Sequence, residues 1–256
     1  MRSRTAVISL ACFVLGAVLS LGASYGTRFG WWDYPTGLKI LAPGFLFGLV
    51  GAVTGGLWSY RALGGNDSTG WKFGAVGFAG SLLLVLVPLN ELRLYLVSPP
   101  IHDVSTDPEF PPPFVALLPL RAGAQNGADY DGLKLVTYQG RRTTEAAAQK
   151  KAYPDIKPYY VLLGTANQHR QATVFWRAFE RAKDSGFDVV AFDEAQGTIE
   201  ATHTSFWFGL RQDIAIRVKL AGRIGARLDI RAKSRTGQND AGAAAGLVRG
   251  YLKAVR

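Results

Sequence analysis

Two clusters in this 256-residue chain carry side chains whose types and spacing could do chemistry. In the first, His102-Asp103-Val104-Ser105-Thr106-Asp107, two carboxylates stand four residues apart beside hydroxyls and an imidazole. Carboxylates so placed can act as acid and base or hold a cation. Asp103 and Asp107 are therefore the catalytic candidates, and Asp103, Thr106 and Asp107 a candidate binding set. Among prolines, however, Asp, Ser and Thr side chains commonly cap turns by bonding to nearby backbone, and that local role is the preferred reading. The second cluster, Arg231-Ala-Lys-Ser-Arg-Thr-Gly-Gln-Asn-Asp240, runs up to a helix start. Guanidinium groups beside free helix amides suit an anion, which nominates Arg231, Ser234, Arg235 and Asp240. The competing and preferred reading is structural: Asp213, Asp229 and Asp240 pair with Arg217, Arg231 and Arg235 across one polar sheet face. Arg235 and Asp240 would then hold the connection into the last helix.

Metal and cofactor chemistry find no support in the pattern. His102, His169 and His203 lack HExxH or HxH spacing, and Cys12 is the only cysteine. A disulfide within the chain and a cysteine-based metal site are both excluded.

The elements that must position these clusters begin at a joint. Pro99–Phe114 has six prolines in sixteen residues, which rules out a regular helix or central strand there. The joint is taken as 99–119 and a water-soluble domain as 120–256. After the prolines, Phe114–Leu120 reads as a short apolar strand, Gly132–Tyr138 as another, and Thr143–Lys151 as a helix capped at Thr143. Gln168–Ser185 has apolar residues at helical spacing and is stopped by Gly186. Four strands follow, at Phe187–Asp193, Thr198–Thr204, Asp213–Lys219 and Arg227–Lys233, with turns at Gln196-Gly197 and Gly222–Gly225. Ile214, Ile216, Val218 and Leu228, Ile230 alternate with Arg217, Lys219 and Asp229, Arg231, the pattern of an antiparallel sheet with one apolar face. A last helix, capped at Asn239 or Asp240, carries the stripe Ala244, Leu247, Val248, Tyr251, Leu252 and Val255. The fold class is therefore α+β: a two-layer domain whose antiparallel sheet is covered by helices on one face.

Residues 1–98 have a different character, with seven Lys/Arg and three Asp/Glu against twenty-two and sixteen downstream. Apolar runs at about 5–24, 40–60 and 73–89 each approach the roughly 30 Å needed to span a bilayer. The first could also be a signal peptide, with Ala23 a poor cleavage position. Trp31, Trp32 and Tyr34 sit where an interfacial aromatic belt is expected. Glycines at small-xxx-small spacing in the second run point to close helix packing. Arg2, Arg4, Arg61 and Lys72 against Arg28, Lys39 and Arg93 place the amino terminus inside and the large domain outside. The domain would then lie on the periplasmic side of a bacterial inner membrane.

Four stretches together resemble a known family: IHDVSTDPEFPPPF from Ile101, Tyr153-Pro154-Asp155-Ile156, SFWFGLRQDIAIR over Ser205–Arg217, and RAKSRTGQNDAG from Arg231. The chain is similar to the family catalogued as domain of unknown function 1499 from about Pro99 to Arg256. That resemblance implies apolar spans before the domain, mainly in bacteria and also in chloroplasts, and no established reaction. It also implies an acidic pair where Gln212-Asp213 stands, and an asparagine where Ala244 stands.

The net charge of +10 could suit nucleic acid, but a membrane-bound basic domain meets anionic lipid, cell-wall polymer or an acidic protein first. The resulting expectation is a non-enzymatic, membrane-integral accessory protein that docks a protein or cell-envelope component through the polar sheet face and the joint, with no nucleic-acid partner. The alternatives are an enzyme acting on a small anionic or sugar substrate through Asp103, Asp107 and the Arg231–Asp240 cluster, and a binder of acidic lipid.

Overall fold

The computed structural model describes residues 4–64, 70–162, 170–222 and 225–256. Contacts divide the chain into two units, Met1–Arg93 with Ser205–Gly209, and Leu94–Thr204 with Leu210–Arg256.

The first unit is built on three helices long and apolar enough to cross a membrane: α1 (Arg4–Arg28), α2 (Tyr34–Leu63) and α3 (Trp71–Val97). Each outruns the apolar stretch that announces it. The Asp33 carboxylate caps α2 by accepting from the Thr36 amide, and Pro35 lies in its first turn, where a missing N–H costs nothing. Glycine lets the helices meet backbone to backbone. Gly44, Gly51 and Gly55 of α2 face Gly16, Cys12 and Ser9 of α1 in turn, so these helices are antiparallel. Gly77 and Gly80 of α3 meet Ser9-Leu10 and Phe13, so α3 runs parallel to α1. The ends of α1 and α3 therefore share one side of the bundle.

The second unit is an α+β domain. Its sheet runs β1 (Asp103–Ser105), β8 (Gly225–Ser234), β7 (Arg211–Ala221), β6 (Thr198–Thr204), β5 (Asp188–Asp193), with β4 (Tyr159–Leu162) also on β8. Every pairing is antiparallel. A hairpin of β2 (Leu135–Tyr138) and β3 (Arg141–Thr144) leads into α4 (Glu145–Ala152). Helices α5 (Arg170–Asp184) and α6 (Ala243–Val255) pack on the sheet. Ile199, Ile214, Ile216, Val218, Leu228 and Ile230 meet Phe175, Ala178, Val248 and Tyr251 in one buried core.

The expected four-strand meander is present as β5 to β8, and β1 and β4 extend it. Both additions escape a pattern search because they are short; β1 also lies inside the proline-rich joint. Its outer edge is completed by a side chain: Gln149 donates to Ser105 O at 2.7 Å and accepts from Ser105 N at 3.0 Å. The strand expected at Phe114–Leu120 is instead irregular chain ending in a 3-10 turn, Pro119–Arg121. Its amides find a carboxylate rather than a neighbouring strand: Glu200 accepts from Val115, Ala116 and Leu117. The cap of α4 is Thr144, not Thr143. The first residues of the helix expected from Gln168, and part of the Gly222–Gly225 turn, lie outside the described residues.

Candidate functional site

Side chains alternate across a strand, so Arg227, Asp229, Arg231 and Lys233 of β8 project to the face opposite the helices. Arg235 follows just beyond the strand. Register brings Asp103 of β1 and Asp213 of β7 opposite Lys233, and Arg217 of β7 opposite Asp229. This face is not open to water. Residues 106–131 fold over it, and Asp103, Asp213, Asp229, Arg231, Lys233 and Arg235 are all buried. A row of charges cannot be enclosed without partners, and the pairing is thorough.

Arg231 grips Asp103 with two bonds, Nε–Oδ1 at 2.9 Å and Nη2–Oδ2 at 2.7 Å, while the Phe114 ring covers its guanidinium 4.5 Å away. Arg235 holds Asp213 the same way, at 2.9 and 2.7 Å, and Arg121 from the overlying segment adds a further bond to that carboxylate. Arg217 and Arg227 both hold Asp229, and both reach Asp107. Thr106 accepts from the Ile230 amide at 3.0 Å. Ser234 donates to Thr236 O within its own turn. The candidates thus form three ion-pair groups rather than one site.

Asp240 stands apart. It accepts from the Gly242 and Ala244 amides at 2.9 and 2.8 Å, so its bond with Arg235 expected from the sequence is replaced by a helix-start role. Arg235 has Asp213 instead, because it falls on the same sheet face. Withdrawal from water pushes the Asp240 carboxyl up to about 6 against those amides.

A fourth group forms around Lys233, which lies between Arg231 and Arg235 in the row. Lys233 reaches Asp131 at 2.6 Å and Asp103 at 3.3 Å. His102 Nε2 lies 3.2 Å from Asp131, and burial, then Lys233, hold its pKa below the ordinary value. Glu145 is 2% exposed, neither carboxylate oxygen has a hydrogen-bond partner among the described residues, and Lys134 stays 3.7 Å away. Burial, and next the Asp131 charge, push its carboxyl up to about 7. Among the described residues no group of three or more His, Cys, Asp or Glu side chains could hold a metal ion.

Lys233 and Glu200 were legible as the polar positions of alternating strands. Arg121, Asp131 and Glu145 were not, since irregular chain and a helix start bring them in.

An open surface lies elsewhere, at β5. Among the described residues nothing pairs with the outer edge of this strand. Val190 and Phe192 are 42% and 53% exposed. Phe192 packs against Phe179 and Trp176 of α5, with ring centroids 4.9 and 5.8 Å apart. Phe179, Lys183, Phe187 and Val190 line a shallow, open cleft of about 600 Å³ beside it.

Compared with known families, residues 103–255 match one described as a protein of unknown function, DUF1499. The chain belongs to the DUF1499 family. No curated protein is similar enough to add to that. The DUF1499 segment opens at the first residue of β1 and closes at the last of α6, so all four charge groups fall within it or one residue before it. Adjacent strand residues point to opposite faces. The acidic pair that the resemblance implies at 212–213 would accordingly be split between two layers. In this chain Asp213 serves the charged row while Gln212 lies buried on the other side.

Proposed function

We propose that this DUF1499 protein is a multi-pass protein of the bacterial inner membrane whose sheet domain, on the periplasmic side, docks an extended segment of a protein partner without catalysis. The observation that carries the reading is the unpaired edge of β5 beside the Trp176–Phe179–Phe192 cluster. A free edge offers backbone donors and acceptors in a row, and exposed side chains next to it supply specificity. Asp188 and Asp193 bound the strand at its two ends, so the fitting partner strand is apolar with basic flanks. A second copy fits poorly: symmetric antiparallel pairing sets Asp188 against Asp193 of the other chain, and like charges directly opposite destabilise.

Asp103 and Asp107 weigh against the enzymatic reading, because arginines already occupy their carboxylates. The same pairing takes Arg231 and Arg235 out of reach of an acidic headgroup. The docking surface accordingly moves from the polar face to the edge. The up-down-up helices and the arginine bias support the sidedness.

The test places a photo-crosslinking residue at Val190, Phe192 or, as control, Glu180 in intact cells. Discrete adducts at 190 and 192 whose partner segment is extended and basic-flanked, lost in Asp188→Lys/Asp193→Lys, are expected. Absence of adducts at both positions, or equal labelling from Glu180, overturns the reading. A reporter enzyme fused after Arg256 should be active only when exported.

A further inference from the structure

The connection between β6 and β7, Ser205-Phe-Trp-Phe-Gly209, carries a feature that docking at β5 does not use. Its contacts group it with the helices. Arg28, the last residue of α1, donates from Nη1 to Ser205 O and Phe206 O at 2.8 and 2.9 Å. Ser24, one turn earlier, donates to Trp207 O at 2.6 Å. Phe208 stands edge-on to Tyr34, the first residue of α2, with centroids 5.3 Å apart. Gly209 has φ +64°, and a Cβ there would come within 2.9 Å of the Arg28 side chain. Backbone held by a helix end leaves the aromatic side chains turned outward: Phe206 is 68% and Trp207 52% exposed.

Two large apolar rings are not commonly presented to water by a segment whose backbone is so firmly held. Their neighbours show what surrounds them. At the same α1–α2 turn, Phe29 and Trp31 are 64% and 70% exposed, and Tyr25 stacks on Phe29. Tyr25, Phe29, Trp31, Trp32 and Tyr34 lie where two apolar spans end, the depth at which aromatic side chains gather in bilayers. Rings at this depth keep an apolar body in the acyl boundary and a polar tip toward headgroups.

We infer that Ser205–Gly209 is a membrane-seated element: Phe206 and Trp207 enter the bilayer interface and extend the aromatic belt of α1 and α2. The occupant of this surface is lipid at headgroup depth, because the loop is continuous with the girdle of the spans. No charged residue lies between Thr204 and Arg211 to oppose it, and Arg28, bonded to its carbonyls, sits at the level where phosphates are found. A stretch inside the family's own domain thereby works as part of the membrane unit.

The full chain on a Cys12→Ala background, in nanodiscs of phosphatidylethanolamine and phosphatidylglycerol, tests this. Nitroxides at Phe206→Cys, at Val18→Cys midway along α1, and at Lys183→Cys on the sheet domain are compared by collision with oxygen and with a water-soluble nickel chelate. The label at 206 should lose nickel broadening relative to 183 and show weaker oxygen broadening than 18, which places it at the interface. Nickel access equal to that at 183 overturns the inference, as does spin–spin broadening between 206 labels, which would mean a second copy covers the loop. Should the Phe206 variant misfold, quenching of native Trp207 by brominated lipid, read as the difference from Trp207→Phe, gives the same decision. Lost quenching in Trp207→Phe is expected, and no difference refutes the inference.

Discussion

Replacing Asp213 with alanine isolates the force that closes the charged row. Its carboxylate is fully buried and accepts from Arg235 through two bonds and from Arg121 through another, with those side chains 10% and 3% exposed. Removing it leaves two enclosed guanidinium groups facing each other without a counter-charge. Losing one partner of a buried pair costs about 3–5 kcal/mol, and two stranded cations put this site at the upper part of that range. A domain with about 5–15 kcal/mol of total stability loses a large share. The chain contains its own control. Arg249 and Asp155 form an equally well-aligned pair, with both bonds at 2.6 Å, but the side chains are 43% and 55% exposed. Asp155→Ala should therefore cost at most about 1 kcal/mol. Hydrogen exchange of the β7 and β8 amides, measured on the full chain in nanodiscs, reads the difference. At about 1.4 kcal/mol per tenfold, Asp213→Ala should speed the slowest amides by roughly three orders of magnitude or slightly more, and Asp155→Ala by less than about one. Equal effects would refute the reasoning, since both carboxylates accept two aligned bonds from one arginine and differ in burial and in the second arginine that burial strands at Asp213. Replacing Asp213, Arg121 and Arg235 together with apolar residues of similar volume should recover most of the loss, because the penalty comes from unpaired charge.

Two further predictions concern proton binding and helix packing. Glu145 has a folded pKa of about 7 against an ordinary 4.5, so its contribution to stability is complete below about pH 4.5 and is lost as pH rises through 7. Roughly 3 kcal/mol is at stake; since Asp240 and His102 titrate in both proteins, a pH series of melts should show the wild type losing stability more steeply than Glu145→Gln between about pH 4.5 and 7. In the helical unit, a Cβ at Gly77 would sit 2.5 Å from the Leu10 backbone nitrogen, whereas one at Gly22 meets nothing within 4 Å. Gly77→Ala should cost about 1–3 kcal/mol and lower the helix melting temperature in detergent, while Gly22→Ala should leave it unchanged.

Where the pattern repeats over several turns or strands, sequence and structure agree. The three spans follow from unbroken apolar runs of membrane length, and the β5–β8 meander and the stripe of α6 from a hydrophobic period sustained over many residues. Where the chain is short or proline-rich, they part. β1 is three residues long and is recognisable only by its partner β8 and by the Gln149 amide that completes its edge. The apolar run at Phe114–Leu120 has strand composition, yet it is drawn over the sheet because the Glu200 carboxylate binds three of its amides. Nearness in sequence matches Arg235 to Asp240, whereas strand parity gives it Asp213.

The sequence by itself determined that the chain carries three membrane-length helices and then an α+β domain with one apolar sheet face, because burial period and segment length are local properties. It also determined that the polar face carries a charge at every second position, Arg227, Asp229, Arg231, Lys233 and Arg235. Only the tertiary structure decided whether that face meets water. Residues 106–131 enclose it, and enclosure converts a row of candidate ligand-binding charges into mutually neutralised pairs, because a charge withdrawn from water must find its counter-charge inside the protein. The exposed features, the β5 edge and the Phe206-Trp207 tip, are likewise defined by what leaves them uncovered among the described residues, and that is a property of the fold.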